Sequence, residues 1–457
     1  MLRVDREPVD TAGADAARRA TVASLRDRLA RLGGLAGPVA PRPAHAPPRD
    51  GAGRAPERPV PRQPGFEPEQ TARGTAWVRR IEVDLLPLLE AAGVAGAADA
   101  GELAALVLPP HAAAGGGVAA PAGAPIAVLD IESLGLRGSG VTAFLVGVGL
   151  QRGATVEVHQ LLLADPGDEP ALLTALLDRL DGSALLVTYN GRTFDVPTLR
   201  ARCIVNRLDD RGLDAALHCD LLGPVRRLFR DRLGACTLRQ AEVGLLAMER
   251  VDDVPGFEAP ARYRHWLRGG GSDVLAGVVR HNELDVVATA VLGARLVAHV
   301  QGRMVEPVHP ADCYRLALHL ERQGPCERSE HLLRLAAGSR AAPWDRRAAH
   351  RLAARLRRRQ GAGCTEALAI WRSLWRGDPT DLRGARALAI ALERSGQLDE
   401  ALAVSLSALR HCAALPSWRH AALRGAPAGG WHSDWDRRVE RLTRRTARAA
   451  QLALRTA

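Results

Sequence analysis

Four acids and one histidine have the types and spacings that metal-assisted chemistry uses. Asp130 and Glu132 lie two apart at the end of an apolar run, IAVLDIESLGL. In a strand the side-chain period of two turns both to the same face. Acids there are costly to desolvate unless positive charge offsets them, and a divalent cation is the simplest source. Taken alone, D-x-E equally describes two acids turned to solvent. Asp195, in YNGRTFDVPTLRAR, falls in the opening turn of a predicted helix. The macrodipole favours a carboxylate there with or without a ligand. His281 and Asp285, in HNELDVVATAVL, are i and i+4 and share one helical face. A solvated His/Asp pair would show the same spacing. Asn190 either orients substrate or caps its turn, and Phe194 either packs in the core or stacks on a terminal base. Asp220, at the end of a short strand, reads as a structural cap.

The elements that must position these groups are legible in the apolar pattern. A strand is predicted from about 126, followed by short apolar runs at 141–150 and 154–163 that fit an antiparallel meander. A helix at 169–181, a buried strand at 184–189 and a short strand near 217–221 come next. Helices at 194–207, 222–230, 237–247 and 273–300 would cover the sheet. Three strands, a helix and a further strand is the order of a ribonuclease H-like mixed α/β sheet flanked by helices, which we place at 125–300. Beyond 310 the chain reads as wholly helical. Gly324, Gly361 and Gly396 recur at offsets of 37 and 35, and Glu330, Glu366 and Glu400 at 36 and 34. These approach the helix-turn-helix period of tetratricopeptide repeats, assigned to 310–412; an Ala-rich helical bundle is the alternative. Before the sheet we expect a short helix within 1–32, a Pro/Gly/Arg-rich disordered linker at 33–69 and a small strand-containing lead-in at 70–111. After the repeats, 413–457 is predicted as a capping helix and basic tail.

Taken together, the motifs resemble a known pattern. DIESLGL is similar to the first motif of the DEDD exonuclease superfamily, N-x-x-x-F-D at 190–195 to its second, and the stretch from His281 to Asp285 to its third. Three motifs in order are far more specific than any one. Within that superfamily YNGRTFDVPTLRAR, HCDLLGPVRRLFRDRL and RVDDVPG followed by HNELDVV most closely resemble the YprB-like bacterial ribonuclease H-like family, whose members often carry tetratricopeptide-like tails. The resemblance implies that Asp130, Glu132, Asp195 and Asp285 hold two Mg²⁺ or Mn²⁺ ions and that His281 is the general base. In the histidine subclass the imidazole lies five positions before the last Asp, and in the tyrosine subclass the phenol lies four before; here Arg280 and His281 hold those places. It further implies a two-metal nuclease, a 3′ to 5′ exonuclease on DNA or RNA ends, with Asn190, Arg192 and Phe194 at the substrate. A non-catalytic nucleic-acid-binding or scaffold protein working through its repeats is the alternative, and a hydrolase of small phosphodiesters is a third reading.

Composition bounds these readings. A chain of 457 residues exceeds one ordinary core, and 47% apolar with 25% charged residues suits folded domains. The formal charge of +11 favours a polyanionic partner such as single-stranded nucleic acid. All 62 basic residues are Arg, however, a bias that coding composition also produces. Arg192, Arg200, Arg202, Arg226, Arg227 and Arg230 either hold a phosphate backbone or serve solubility. The seven cysteines show no metal-ligand spacing. A reduced, cytoplasmic protein is expected, with no membrane span and a possible protein partner at the repeats.

Overall fold

The computed structural model describes residues 63–108, 125–135, 140–210, 213, 217–304, 309–324, 326–341, 343–414 and 430–456. All belong to one unit, Pro59–Ala457. The segment 1–32 and most of the linker 33–69 lie outside the described residues.

In chain order the sheet-containing half comprises β1 (Glu67–Thr71), β2 (Gly74–Asp84), α1 (Leu86–Ala91), α2 (Ala100–Ala105), β3 (Ile126–Leu134), β4 (Thr142–Arg152), β5 (Thr155–Leu162), α3 (Glu169–Leu180), β6 (Leu185–Thr188), α4 (Asp195–Val205) and β7 (Leu217–Asp220). There follow α5 (Leu222–Leu233), α6 (Leu238–Ala241) running into a π turn at Glu242–Leu246, α7 (Ala259–Leu267) and the long α8 (Ser272–Gln301). The sheet has seven strands in the order β1-β2-β5-β4-β3-β6-β7. Its first five positions are antiparallel, whereas β6 pairs in parallel with both β3 and β7. Parallel neighbours need crossovers, which α3 and α4 supply. The fold class is thus a mixed, helix-flanked sheet followed by an all-helical region.

The predicted lead-in contributes to this sheet. β2 runs along β5 from Trp77 opposite Leu162 to Asp84 opposite Thr155, and β1 begins at Glu67, inside the stretch assigned to the linker. The pairing joins segments far apart in sequence, and only Ala76 and Val78 of β2 are fully buried, so local apolar periodicity carried little of it.

Two glycines set how closely α8 approaches the sheet. Gly147 and Gly149 of β4 face Asp130 and Val128 of β3. A Cβ on Gly147 would stand 2.5 Å from Asn282 Oδ1, and one on Gly149 2.7 Å from Val286 Cγ1. With neither present, α8 lies directly on the strands that carry the acids.

Beyond 309 the described residues build helices: α9 (Pro310–Gln323), α10 (Glu327–Gly338), α11 (Trp344–Gln360), α12 (Thr365–Gly377), α13 (Leu382–Arg394), α14 (Leu398–Ala414) and α15 (Gly430–Thr456), each packed on the next. The recurring Gly324, Gly361 and Gly396 all take positive φ, where they end α9, α11 and α13. The recurring acids bind arginines: Glu330 to Arg359 at 3.1 Å, Glu400 to Arg372 at 2.5 Å, and Glu366 to Arg334. Residues 430–456, predicted as cap and tail, form one helix that buries Trp431, Trp435 and Leu442 and sets Arg438, Arg441 and Arg445 around Glu393.

The array joins the sheet domain through α9 on α5 and α10 on the end of α8. Arg232 meets Asp312 at 2.7 Å, and Arg328 donates to the carbonyls of Val300 and His299 at 2.6 and 3.0 Å. His299 is buried there. Burial, then the charges of Arg295, Arg328, Arg232 and His319, push its imidazole down to about 3. Burial, with Arg227 and Arg322, pushes His319 down to about 4. Because these folded values lie below the ordinary value near 6.5, the unfolded chain takes up protons first as pH falls. Their contribution to stability is intact above about pH 6.5 and is lost as pH drops toward 4. We expect the thermal midpoint to fall between pH 7 and 4.5, and to fall less in His299→Phe; an identical pH slope in the variant removes His299 from this effect.

Candidate active site

The site forms where β3, the β6–α4 junction and α8 meet. Along β3, Ile126 and Val128 pack into the core beneath α8, so Asp130 and Glu132 continue that face against the helix. The ladder to β4 shifts register between Glu132 and Ser133, a bulge of the kind that re-aims side chains beside functional sites. Asn282 of α8, fully buried, donates from Nδ2 to Asp130 Oδ2 at 2.8 Å and to the Asp130 carbonyl at 3.2 Å. Its own Oδ1 accepts from Gln160 Nε2 at 2.9 Å, which fixes the amide's orientation.

Asp195 arrives from the other side. β6 ends at Thr188, level with Leu129 of β3, and a tight turn leads into α4. Asn190 takes φ 67° in this turn and hydrogen-bonds Thr193 through Oδ1 at 3.0 Å. Asp220 organises the same turn by accepting the backbone N–H groups of Asn190, Arg192 and Leu222 at 2.9, 3.1 and 3.0 Å. Asp195, in the first turn of α4, then accepts the N–H of Ile131 at 3.1 Å, directly between the two acids of β3.

On α8, His281 Nε2 stands 3.5 Å from Asp285 Oδ2 and 3.9 Å from Glu132 Oε1. His281 Nδ1 lies 2.8 Å from Asp253 Oδ1. A carboxylate only accepts, so a proton on Nδ1 points to Asp253, and in the neutral ring with that proton the Nε2 lone pair faces the acids. Burial works against ionisation of Asp253, but the His281 hydrogen bond and the charges of His281, Arg250 and Arg239 outweigh it and hold the carboxyl below its usual range. Arg280, one residue earlier, is exposed and turned away from this cluster into a cleft with Arg79 and Glu283.

Electrostatically the cluster is strained. Burial, then the charges of Asp285, Asp195 and Glu132, push Asp130 well above the ordinary carboxylate range. Burial with Asp285, Asp195 and Asp253 raises Glu132 to about 8. Burial also raises Asp195 to about 7, against the hydrogen bonds from its own amide and that of Ile131. Acids that oppose one another's ionisation this way form a hard-oxygen donor set whose negative charge the one neighbouring Arg250 only partly offsets, which suits a divalent cation. Among the described residues, no three His, Cys, Asp or Glu side chains are already arranged to ligate an ion. Asn282, Ile131 and Arg250 each take one oxygen of Asp130, Asp195 and Asp285.

The structure therefore brings Asp130, Glu132, Asp195, Asp285 and His281 together. Asn190 and Arg192 stay at the exposed rim, where Arg192 donates to the His218 carbonyl at 2.9 Å. Phe194 is partly buried against the core. Of the flanking arginines, Arg200, Arg202 and Arg227 bind Asp210, Glu169 and the Leu106 carbonyl, while Arg226 and Arg230 are exposed. Four neighbours carried no role in the sequence: Asn282, Arg250, Asp253 and Glu242. Arg250 and Asp253 sit in RVDDVPG, whose spacing alone does not reveal that it folds against α8.

Residues 127–297 match the model of the RNase_H superfamily, so this is a ribonuclease H superfamily domain, and a nuclease is the class that fold and clustered acids support. The chain is also 34% identical over 189 residues to the uncharacterized protein YprB of Bacillus subtilis (strain 168), a match spanning 41% of this chain and 46% of that relative. The chain thus spans less than half the length of that relative. A family B DNA polymerase from the hyperthermophilic archaeon Pyrobaculum calidifontis aligns over 48% of this chain and 29% of its own at 16% identity. The TM-score of that alignment is 0.32.

Proposed function

We propose that this chain is a metal-dependent exonuclease that shortens single-stranded DNA or RNA from the 3′ end. The observation that carries the proposal is the convergence of Asp130, Glu132, Asp195 and Asp285 beneath an imidazole whose free nitrogen faces them. These four carboxylates would hold two Mg²⁺ or Mn²⁺ ions. Bound there, such ions supply charge stabilisation to the attacking and leaving oxygens of a phosphodiester displacement. The chain's own part is positioning and proton transfer. Asp253 fixes the tautomer of His281, and Nε2 accepts a proton from water as its oxygen adds to phosphorus. The P–O3′ bond breaks, and the departing oxygen takes its proton from solvent. Phe194, Asn190 and Arg192 would meet the substrate, through stacking on a terminal base and contact with its phosphate.

The helical array is proposed as a tetratricopeptide-like platform for a protein partner, supported by the recurrence of Gly324, Gly361 and Gly396 as helix ends. None of the seven cysteines forms a disulfide, which fits a reducing compartment such as the cytoplasm. No helix among the described residues is long and apolar enough to cross a membrane.

Incubation of purified protein with end-labelled single-stranded DNA and RNA and either ion tests the reading. Progressive shortening of 5′-labelled strands is expected; if neither substrate shortens with either ion, the enzyme reading fails. In His281→Ala, turnover should fall by about 10² to 10⁴ with ion binding retained. Asp253→Asn should lose less and shift the acid limb of the pH–rate profile. An unchanged rate in His281→Ala would give the water-orienting role to another group.

A further inference from the structure

Arg250 places a permanent positive charge among the acids, and its contacts are of two kinds. Toward the protein it grips Glu242 with both edges, Nε to Oε2 at 2.9 Å and Nη2 to Oε1, while Nη1 lies 3.3 Å from Asp253 Oδ2. Glu242 is fully buried and is placed by the π turn that follows α6, so this end of the guanidinium is fixed. Toward the site, Nη2 also reaches Asp285 Oδ1. Among the described residues, Asp285 alone of the four clustered acids pairs with an arginine. The Arg250 side chain is only 5% exposed, so water screens these contacts little.

A guanidinium and a divalent ion compete for the same carboxylate lone pairs, because the ion needs oxygen at about 2.0 to 2.2 Å. Releasing Asp285 would still leave Arg250 its contacts to Glu242 and Asp253. We propose that Arg250 is a tethered counter-ion for Asp285, which a divalent ion displaces from that carboxylate. Without the ion, the arginine offsets charge that would otherwise oppose folding; with the ion, it yields Asp285 and stays docked on Glu242. The inference rests on the metal-dependent reading above and adds to it that this chain's own arginine sets how readily the ion enters.

Competition distinguishes this role from that of a brace that pre-positions Asp285. Mn²⁺ binding by calorimetry and thermal midpoints with and without Mn²⁺ are compared for the parent, Arg250→Met, and Arg250→Met with Glu242→Gln. The double variant matters because losing Arg250 alone leaves Glu242 buried and unpaired, which destabilises the fold for an unrelated reason. We expect the Kd for Mn²⁺ to tighten about tenfold in the double variant, through loss of a competing charge at contact distance. Without the ion, Arg250→Met should melt earlier than the parent, and Mn²⁺ should raise its midpoint by more than it raises the parent's. An unchanged or weaker Kd in the double variant, with the parent binding Mn²⁺, overturns the inference alone and makes Arg250 a brace. A parent that takes up no Mn²⁺ overturns the metal-dependent reading itself.

Discussion

Asp195→Asn is expected to lower strand shortening by at least about 10³-fold while leaving a folded protein that, without divalent ions, is no less stable than the parent. The amide oxygen can still accept the Ile131 N–H that now fixes the carboxylate, so the junction between β6 and α4 should keep its geometry. What is lost is one negative oxygen donor of the proposed ion site. What is gained is relief of a group whose burial already raises it to about 7 and whose neighbours Asp220 and Asp285 oppose its charge. A group that must ionise against its surroundings in order to act lowers stability where it serves function. Strand shortening at the parent rate would take Asp195 out of the chemistry. A collapse of the thermal midpoint would show that the carboxylate holds the junction together instead.

Removal of divalent ions should have an effect of similar size. Chelation is expected to bring hydrolysis to background, and Mg²⁺ or Mn²⁺ added in excess to restore it. An ion that binds only the folded state at about 100 times its Kd adds about 2.7 kcal/mol of stability. For a domain of this size that is roughly 5 to 10 °C in the midpoint. The combined Asp130→Asn and Glu132→Gln variant should show almost none of that rise, because both acids of β3 are then neutral. Its ion-free midpoint should meanwhile exceed the parent's, since burial and mutual repulsion push both groups upward. A parent protein that hydrolyses at full rate in chelator would end the metal-dependent reading. An equal Mn²⁺-induced rise in the double variant would move the ion elsewhere.

Much of this was legible in the residues themselves. The order of β3, β4, β5, α3 and β6 follows from local apolar runs, because each of these elements is buried along its own length and carries its own period. Backbone geometry sets side-chain direction, so D-x-E and a His/Asp pair four apart must each share a face, but it was the order of three motifs, as in the family they resemble, that picked out the candidate acids as one set. Asn282 was harder to read. Its amide faces Asp130 only because Gly147 leaves room, and no feature of HNELD announces that contact.

By itself, then, the sequence determined which side chains stand together within a single element and in what order the elements follow. It could not determine that β2 would complete the sheet along β5, that one helix would run through 430–456 where a cap and a tail were expected, or that Arg250, Asp253 and Glu242 would surround His281 and Asp285. Those contacts join separate segments, and their energies depend on burial and on charges brought together by the whole fold. The tertiary structure alone decided the carboxylate that faces Nδ1 of His281, the repulsion that raises Asp130, Glu132 and Asp195, and the cation already resting on Asp285.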